Sequence, residues 1–413
     1  MESLTSWVND EDSHICYNGH TSECDTPDCD EQIAIAYDNG DDGNGGVCIN
    51  SVLPDDILER ILGNLPISAI LKALCVCKKW NDVVHSDRFL HYYSGVAPRK
   101  PWYFMFTSEF YPIGHVYDPI HLKWHRFQIP FVETPTWSLV SSRGLLCLMD
   151  DRRRKIYVCN PITKCYRRLE EPPGAALADY CALAISQDTS SQSYMVAIVR
   201  SKQARGEDID WDLSIDIYSS EKGTWRCPVN ATFQVWRTGT DCVICDGILY
   251  FTVFLTRTLG FIRPRYGVLA YDLSCQFFVT DVDECVIEAP CYITCMRLMN
   301  LEEEVVMVGG IEKVGRPGII KGIGIWVLKD KNWEEVSRMP NKFFKGFGEF
   351  DDVFGSCGHE KLIYIQSYGS SALLMFDMYS NEWSWSCKCP AAKKSPLQLY
   401  SGICFEPRLD IAP

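Results

Sequence analysis

The sequence predicts a mainly β protein: a β-propeller of six blades preceded by a small unit of three helices. Three observations carry that reading. A phrase of strand, turn and aromatic recurs six times beyond residue 101. The recurrences keep a period near fifty residues, the mark of a propeller or array rather than of unrelated strands. The forty residues before them instead space their apolar side chains as amphipathic helices do.

The chain of 413 residues is 46% hydrophobic, enough for one large core or for several domains. Its formal charge of −14 is unevenly spread, because residues 1–50 hold twelve of the 54 acids and none of the 40 bases. Acid runs mixed with Gly and Asn, as in "YDNGDDGNGG", cannot bury enough apolar surface to offset the entropy of ordering. Residues 1–50 are therefore expected to be a disordered acidic leader. The rest of the chain is close to neutral and lacks the basic patch that nucleic acid or an anionic membrane would call for, so neither is expected as a direct partner. No apolar run reaches the roughly eighteen residues of a membrane helix, and "MESLTSWVNDEDS" lacks the basic start and apolar stretch of a secretory signal. A soluble intracellular protein is expected. The 21 cysteines, odd in number and scattered through runs such as "ALCVC", form no disulfide framework; in a reducing compartment they are expected to be mostly buried thiols.

Helical periodicity covers residues 51–90. In "LPDDILERILGNLP", Pro54 sits where a missing N–H costs nothing, and Asp55 and Asp56 place negative charge in a first turn that favours it. Ile57, Leu58, Ile61, Leu62 and Leu65 fall within an arc of roughly 140°, extended by Leu53, while Asp55, Asp56, Glu59 and Arg60 lie outside it. Gly63 and Asn64 end this helix, Pro66 begins the next, and Val76, Trp80, Val83 and Val84 give a third its spacing. A unit this small is near the size at which a chain needs a metal, disulfides or a partner to fold well, and it carries no metal or disulfide pattern. Its surplus apolar face either packs on the propeller or docks another protein in a groove. Residues 91–100, ending in "APRK", read as a linker, with the boundary near Lys100.

From residue 101 to 413 the recurring phrase reads "VYDPIHLKW", "VCNPITKCY", "IYSSEKGTW", "AYDLSCQFF", "IWVLKDKNW" and "MFDMYSNEW". An aromatic stands six residues after Asp118, Asn160, Ser219, Asp272 and Asp377, and six after Val327 in the fifth copy. A short Asp or Asn side chain caps the local backbone, and Pro presets φ at the next position, so each copy reads as a β-hairpin. Another strand precedes four of the copies, in "SSRGLLCLMD", "DGILYFTVF", "EEEVVMVGG" and "GHEKLIYIQ", giving four strands per unit. A propeller leaves only short, protected sheet edges. Its ring would close if "PWYFMF" near residue 101 paired with "SGICFEP" near 401.

The stretch "LPDDILERILGNLPISAILKALCVCKKWNDVV" resembles an F-box, whose pattern of Leu-Pro, acidic apolar helix and Val-Cys-Lys/Arg-x-Trp is met by Leu53-Pro54 and Val76-Cys77-Lys78-Lys79-Trp80. The repeats resemble degenerate kelch units, which carry a Gly pair, then Tyr, then Trp six residues on; only Gly309-Gly310 keeps the pair. With "IIKGIGIWVLK", "FKGFGEFDDVF", "IQSYGSSALLMFDM" and "ICFEPRLDIAP", nearly the whole chain is similar to plant F-box/kelch-repeat proteins. The resemblance implies a kelch-type β-propeller and a substrate-recognition subunit of an SCF-type ubiquitin ligase complex, present in nucleus and cytoplasm. The F-box would bind a Skp-type adaptor and through it a cullin, while the propeller would hold an unidentified protein substrate for ubiquitination and degradation. No covalent chemistry and no cofactor are implied. Carried over residue by residue, Leu53, Pro54, Ile57, Leu58, Ile61, Val76 and Trp80 meet the adaptor or support that surface. Trp80 serves equally as interface anchor or as the pin of the helical unit.

Other chemistry finds little support in the residues. "CVIC", Cys242 to Cys245, has redox or zinc spacing but is a lone pair in a strand-like run, and reads as buried thiols. His121 and His125 in "HLKWH" lack the Glu of a helical zinc motif, and "KGFGEF" lacks the strand-to-helix setting of a phosphate loop. "SSEKGTW" is a single, shortened likeness of the Asp box of sialidases, and a glycosidase would also need paired carboxylates across a pocket. No catalytic or metal residue is assigned. The densest basic cluster is "DRRRK". Its Arg152, Arg153 and Arg154, with Arg263, Arg265 and Arg316 in other loops, are either solvated turns or, if they converge on one face, a site for an acidic or phosphorylated partner. Two rivals stand beside the ligase reading: a scaffold that docks the adaptor without delivering substrate, and a propeller enzyme.

Overall fold

The computed structural model describes residues 53–96 and 100–413, except 107–112, 130–137, 151–154, 174–177, 189–190, 205–209, 257–265, 276, 279–285, 346, 348–353, 368–369 and 391–400. The acidic leader lies outside the described residues. Those described divide into two compact units on either side of the step from Val96 to Ala97. None of the described helices is long and apolar enough to cross a membrane.

The first unit has four helices rather than three: α1 (Asp55–Gly63), α2 (Ile67–Ala73), α3 (Lys78–Val84) and α4 (Asp87–Val96). The fourth occupies much of the stretch expected to be linker. Its start is set by Ser86, whose hydroxyl accepts the Phe89 N–H at 3.2 Å, with Asp87 in the first turn. Phe89 and Tyr93 stand one turn apart, stack at 5.7 Å and are both buried. They join Leu58, Leu62, Ile67, Ile70, Leu71, Val83 and Val84 in the core. The packing of α4 on α1 is close: a Cβ at Gly63 would stand 2.6 Å from a ring carbon of Tyr92.

Among the described residues the second unit is a ring of six antiparallel blades, five of four strands and the fourth with a short fifth strand, Ile287–Glu288, paired beside its third. Blades 2 to 6 are each one continuous stretch, spanning Ser138–Leu169, Tyr180–Gln234, Trp236–Phe278, Ile293–Arg338 and Phe354–Trp385. Blade 1 takes three strands from Trp102–Phe106, Ile113–Asp118 and Lys123–Gln128, and its innermost strand from Ser401–Phe405. The register runs from Trp102 opposite Phe405 to Phe106 opposite Ser401, so the ring closes through the two segments that the sequence nominated.

All six recurring phrases form the hairpin between the third and fourth strands of a blade. In four of them one side-chain oxygen caps the turn. Asp118 Oδ1 accepts the Ile120 N–H at 2.9 Å, Asn160 Oδ1 that of Ile162 at 2.8 Å, Asp272 Oδ1 that of Ser274 at 2.8 Å and Asp377 Oδ1 that of Tyr379 at 2.9 Å. Three of the phrase-ending tryptophans fasten a blade to its predecessor. Trp124 Nε1 donates to the Cys387 carbonyl (2.9 Å), Trp225 Nε1 to the Glu170 carbonyl (2.8 Å) and Trp383 Nε1 to the Ser337 hydroxyl (3.1 Å). Both faces of a blade are buried between neighbours, which explains the near-continuous apolar runs. Along Glu304–Lys313, Val306 and Val308 enter one inter-blade core while Val305 and Met307 enter the next.

Candidate functional site

The helical unit divides its apolar arc in two. Leu58 and Leu62 are buried at 2% and 0% exposure, whereas Ile57 and Ile61, one turn apart on α1, are 38% and 47% exposed. Leu58 therefore supports the outer face from beneath instead of presenting itself to a partner. Val76 is 48% exposed and sits in the turn before α3, which begins only at Lys78. Pro54 is exposed, and Leu53 and Trp80 are half-buried.

Two ion pairs hold this arrangement, and neither is marked by the sequence pattern. Lys79 Nζ donates to the Leu53 carbonyl at 2.9 Å and pairs with Asp55 at 3.1 Å, tying the Leu-Pro entry of α1 to α3. Arg88 of α4 pairs with Glu59 at 2.9 Å. Glu59, placed outside the apolar arc, is only 7% exposed, because α4 covers it and supplies its counter-charge. Lys79 lies inside the motif that marks the F-box, but periodicity carries no signal for a bond between Lys79 and a carbonyl twenty-six residues earlier.

The six inner strands of the propeller pack in turn around a central cavity of 540 Å³. Its charged side chains join blades. Arg297 of blade 5 donates to Asp241 of blade 4 at 2.6 Å, Arg143 of blade 2 lies 3.5 Å from Glu303 of blade 5, and His359 of blade 6 lies 3.2 Å from Glu406. Burial pushes the Asp241 carboxyl above its ordinary range, and the Arg297 guanidinium pulls it back. Cys242 and Cys245, the zinc- or redox-spaced pair, enter two different inter-blade cores, as residues three apart on a strand must. Burial pushes the Cys245 thiol up to about 12. His121 Nδ1 donates to Asp118 Oδ2 at 2.7 Å, while His125 stacks on Trp102 at 6.2 Å. Among the described residues no group of His, Cys, Asp or Glu is arranged to hold a metal ion.

Of the six candidate arginines, Arg316 is exposed at the start of its strand, opposite Lys313. Arg152, Arg153, Arg154, Arg263 and Arg265 lie outside the described residues. The described strand ends beside them, Asp150 and Lys155 in blade 2 and Thr256 and Tyr266 in blade 4, lead from second to third strand of a blade, as do Lys313 and Arg316 in blade 5. In a ring of repeated meanders those described flanks share one end of the propeller.

Comparison with known proteins agrees with this architecture. Residues 51–92 match the F-box domain family, and residues 126–310 match the family described as F-box protein At3g26010-like, beta-propeller. The chain is 48% identical over 424 residues to F-box/kelch-repeat protein At3g61590 of Arabidopsis thaliana, covering 100% of both. It is 26% identical to F-box only protein 6 of the same plant, over 86% of this chain and 73% of the relative. It is 22% identical to SKP1-interacting partner 15, also of Arabidopsis thaliana, over 87% of this chain and 98% of the relative. Identity of 48% sustained from end to end, on a helical unit and a ring that each match their own family, places this chain among the F-box/kelch-repeat proteins.

Proposed function

We propose that the chain is the substrate-recognition subunit of an SCF-type ubiquitin ligase, working in nucleus and cytoplasm. Its F-box docks a Skp-type adaptor, and through it a cullin, by Leu53, Pro54, Ile57, Ile61, Val76 and Trp80, with Leu58 supporting them. Its propeller holds the protein to be ubiquitinated and degraded. The chain performs no covalent step; transfer occurs on partner subunits. The observation that carries this reading is the exposure of Ile57, Ile61 and Val76 on a unit whose core is complete without them. The likeness to SKP1-interacting partner 15 supports the adaptor.

The test is capture of a Skp-type adaptor by the full chain beside a Leu53→Ala, Pro54→Ala double variant and an Ile57→Asp, Ile61→Asp double variant. Anchors of about 2 kcal/mol each should make adaptor binding at least roughly thirtyfold weaker in both, with unchanged thermal melts. Full retention of the adaptor by both variants would refute the docking face. For delivery, a protein captured by the propeller should accumulate when the receptor is removed; unchanged turnover of every captured protein would make the chain a scaffold instead.

A further inference from the structure

We propose that Arg237, stacked between blades 3 and 4, selects what the propeller receives, and that the partner places there an oxyanion carried on an acidic or phosphorylated protein segment. The proposal rests on the receptor reading and names the chemistry of the received protein.

Arg237 lies near the start of Trp236–Cys245, the inner strand of blade 4, and is half-buried. Its guanidinium carbon stands 3.7 Å from the ring centre of Tyr180 in blade 3 and 4.4 Å from that of Phe254 in blade 4. The row continues at both ends. Phe254 is the register partner of Arg237 and Tyr266 that of Phe254, their rings meeting edge to face at 5.2 Å, while Tyr180 packs on Trp211 at 5.7 Å. A guanidinium held over two aromatic rings is restrained in orientation and bonds through its edge.

That edge is mostly unspent. One N–H donates to the Thr238 carbonyl at 3.0 Å, and no carboxylate pairs with Arg237 among the described residues. Arg88, Arg143, Arg200, Arg297, Arg338 and Arg408 by contrast each meet an acid. A second observation points the same way. Trp211 is 8% exposed, and its indole N–H is buried with no acceptor among the described residues. Two unspent donors in one aromatic row favour an incoming acceptor that carries negative charge, and a planar fork grips carboxylate or phosphate by two parallel bonds.

The test uses the full chain and four fluorescein-labelled probes: a Glu/Asp-rich peptide, its phosphoserine counterpart, a Lys-rich peptide of the same length and a single-stranded RNA. One or both acidic peptides should bind, more weakly as salt rises, and Arg237→Lys and Arg237→Gln should weaken that binding tenfold or more. Loss in the Lys variant marks the planar fork rather than the charge alone. Thermal melts and adaptor capture should stay as in the parent. A tighter phosphoserine complex assigns phosphate, and equal affinities assign carboxylate. Should both variants unfold, a 5-fluorotryptophan-labelled parent keeps the question open to measurement: the acidic peptide must shift the Trp211 resonance, identified with Trp211→Phe. Unchanged affinity in folded variants, no Trp211 shift, or equal binding of the Lys-rich peptide or the RNA would overturn the proposal. A chain that captures the adaptor but ignores both acidic peptides refutes the arginine site alone. One that binds them through Arg237 but never the adaptor refutes the receptor reading alone.

Discussion

One peptide bond separates Ile57, 38% exposed, from Leu58, 2% exposed. At about 100° per residue both fall on the apolar arc of α1, so periodicity alone cannot divide the arc into the half that is buried and the half that stays exposed. The division is set by what the other helices cover, and Glu59 shows the same effect, buried with Arg88 of α4 as its counter-charge. Leu58→Ala should therefore cost about 2–5 kcal/mol and lower the melting temperature, whereas Ile57→Ala should leave the melt in place and weaken adaptor capture. Asp272 makes a different prediction. The Ser274 hydroxyl first, and then the Cys275 and Ser274 N–H groups, hold its carboxyl below the ordinary aspartate range. A depressed folded-state pKa contributes stability that is present above the unfolded value and lost as pH falls through the folded one. The difference in urea midpoint between parent and Asp272→Asn should be largest at neutral pH and should close in acid.

At the scale of elements, the hairpins were legible in the sequence and the inner strands, the closing one at Ser401–Phe405 apart, were not. In four blades the hairpin has its turn capped by Asp118, Asn160, Asp272 or Asp377, in all six an aromatic follows in the last strand, and these local demands repeat similar letters. Inner strands face the central cavity and a different neighbour each time, so nothing makes Ser138–Ser142 look like Trp236–Cys245. The fourth helix escaped for a related reason: its fully buried side chains are Phe89 and Tyr93 only, inside "HSDRFLHYYSG", too few for periodicity to claim. Its fit against α1 is nonetheless demanding. Gly63→Ala forces a methyl toward the Tyr92 ring, 2.6 Å away, and should destabilise the helical unit by about 1–3 kcal/mol. The check is hydrogen exchange, which should rise in residues 55–96 and stay unchanged in the blades.

At the scale of the whole molecule, the period near fifty residues disclosed the ring and its closure. It could not disclose the row around Arg237, because Tyr180 and Phe254 stand 57 and 17 residues from it and meet it only after two blades have packed. Closure has its own prediction. Residues 401–405 supply the inner strand of blade 1, and the buried Asn160 side chain donates to the Arg408 and Ile411 carbonyls at 2.9 and 2.8 Å, fastening blade 2 to the same tail. Truncation after residue 400 should leave Trp102–Phe106 as an open edge and abolish the cooperative melt, with aggregation in place of a shifted midpoint. The closing strand also sets a schedule for synthesis. About 300 residues separate Trp102 from Phe405, and at roughly 5–20 residues per second the ribosome needs tens of seconds to bridge them. The F-box thus leaves the exit tunnel well before the ring closes. On the function proposed above, a nascent chain would enlist its adaptor while it still has no means of holding cargo, and only the closing strand would give the assembled machinery something to act upon.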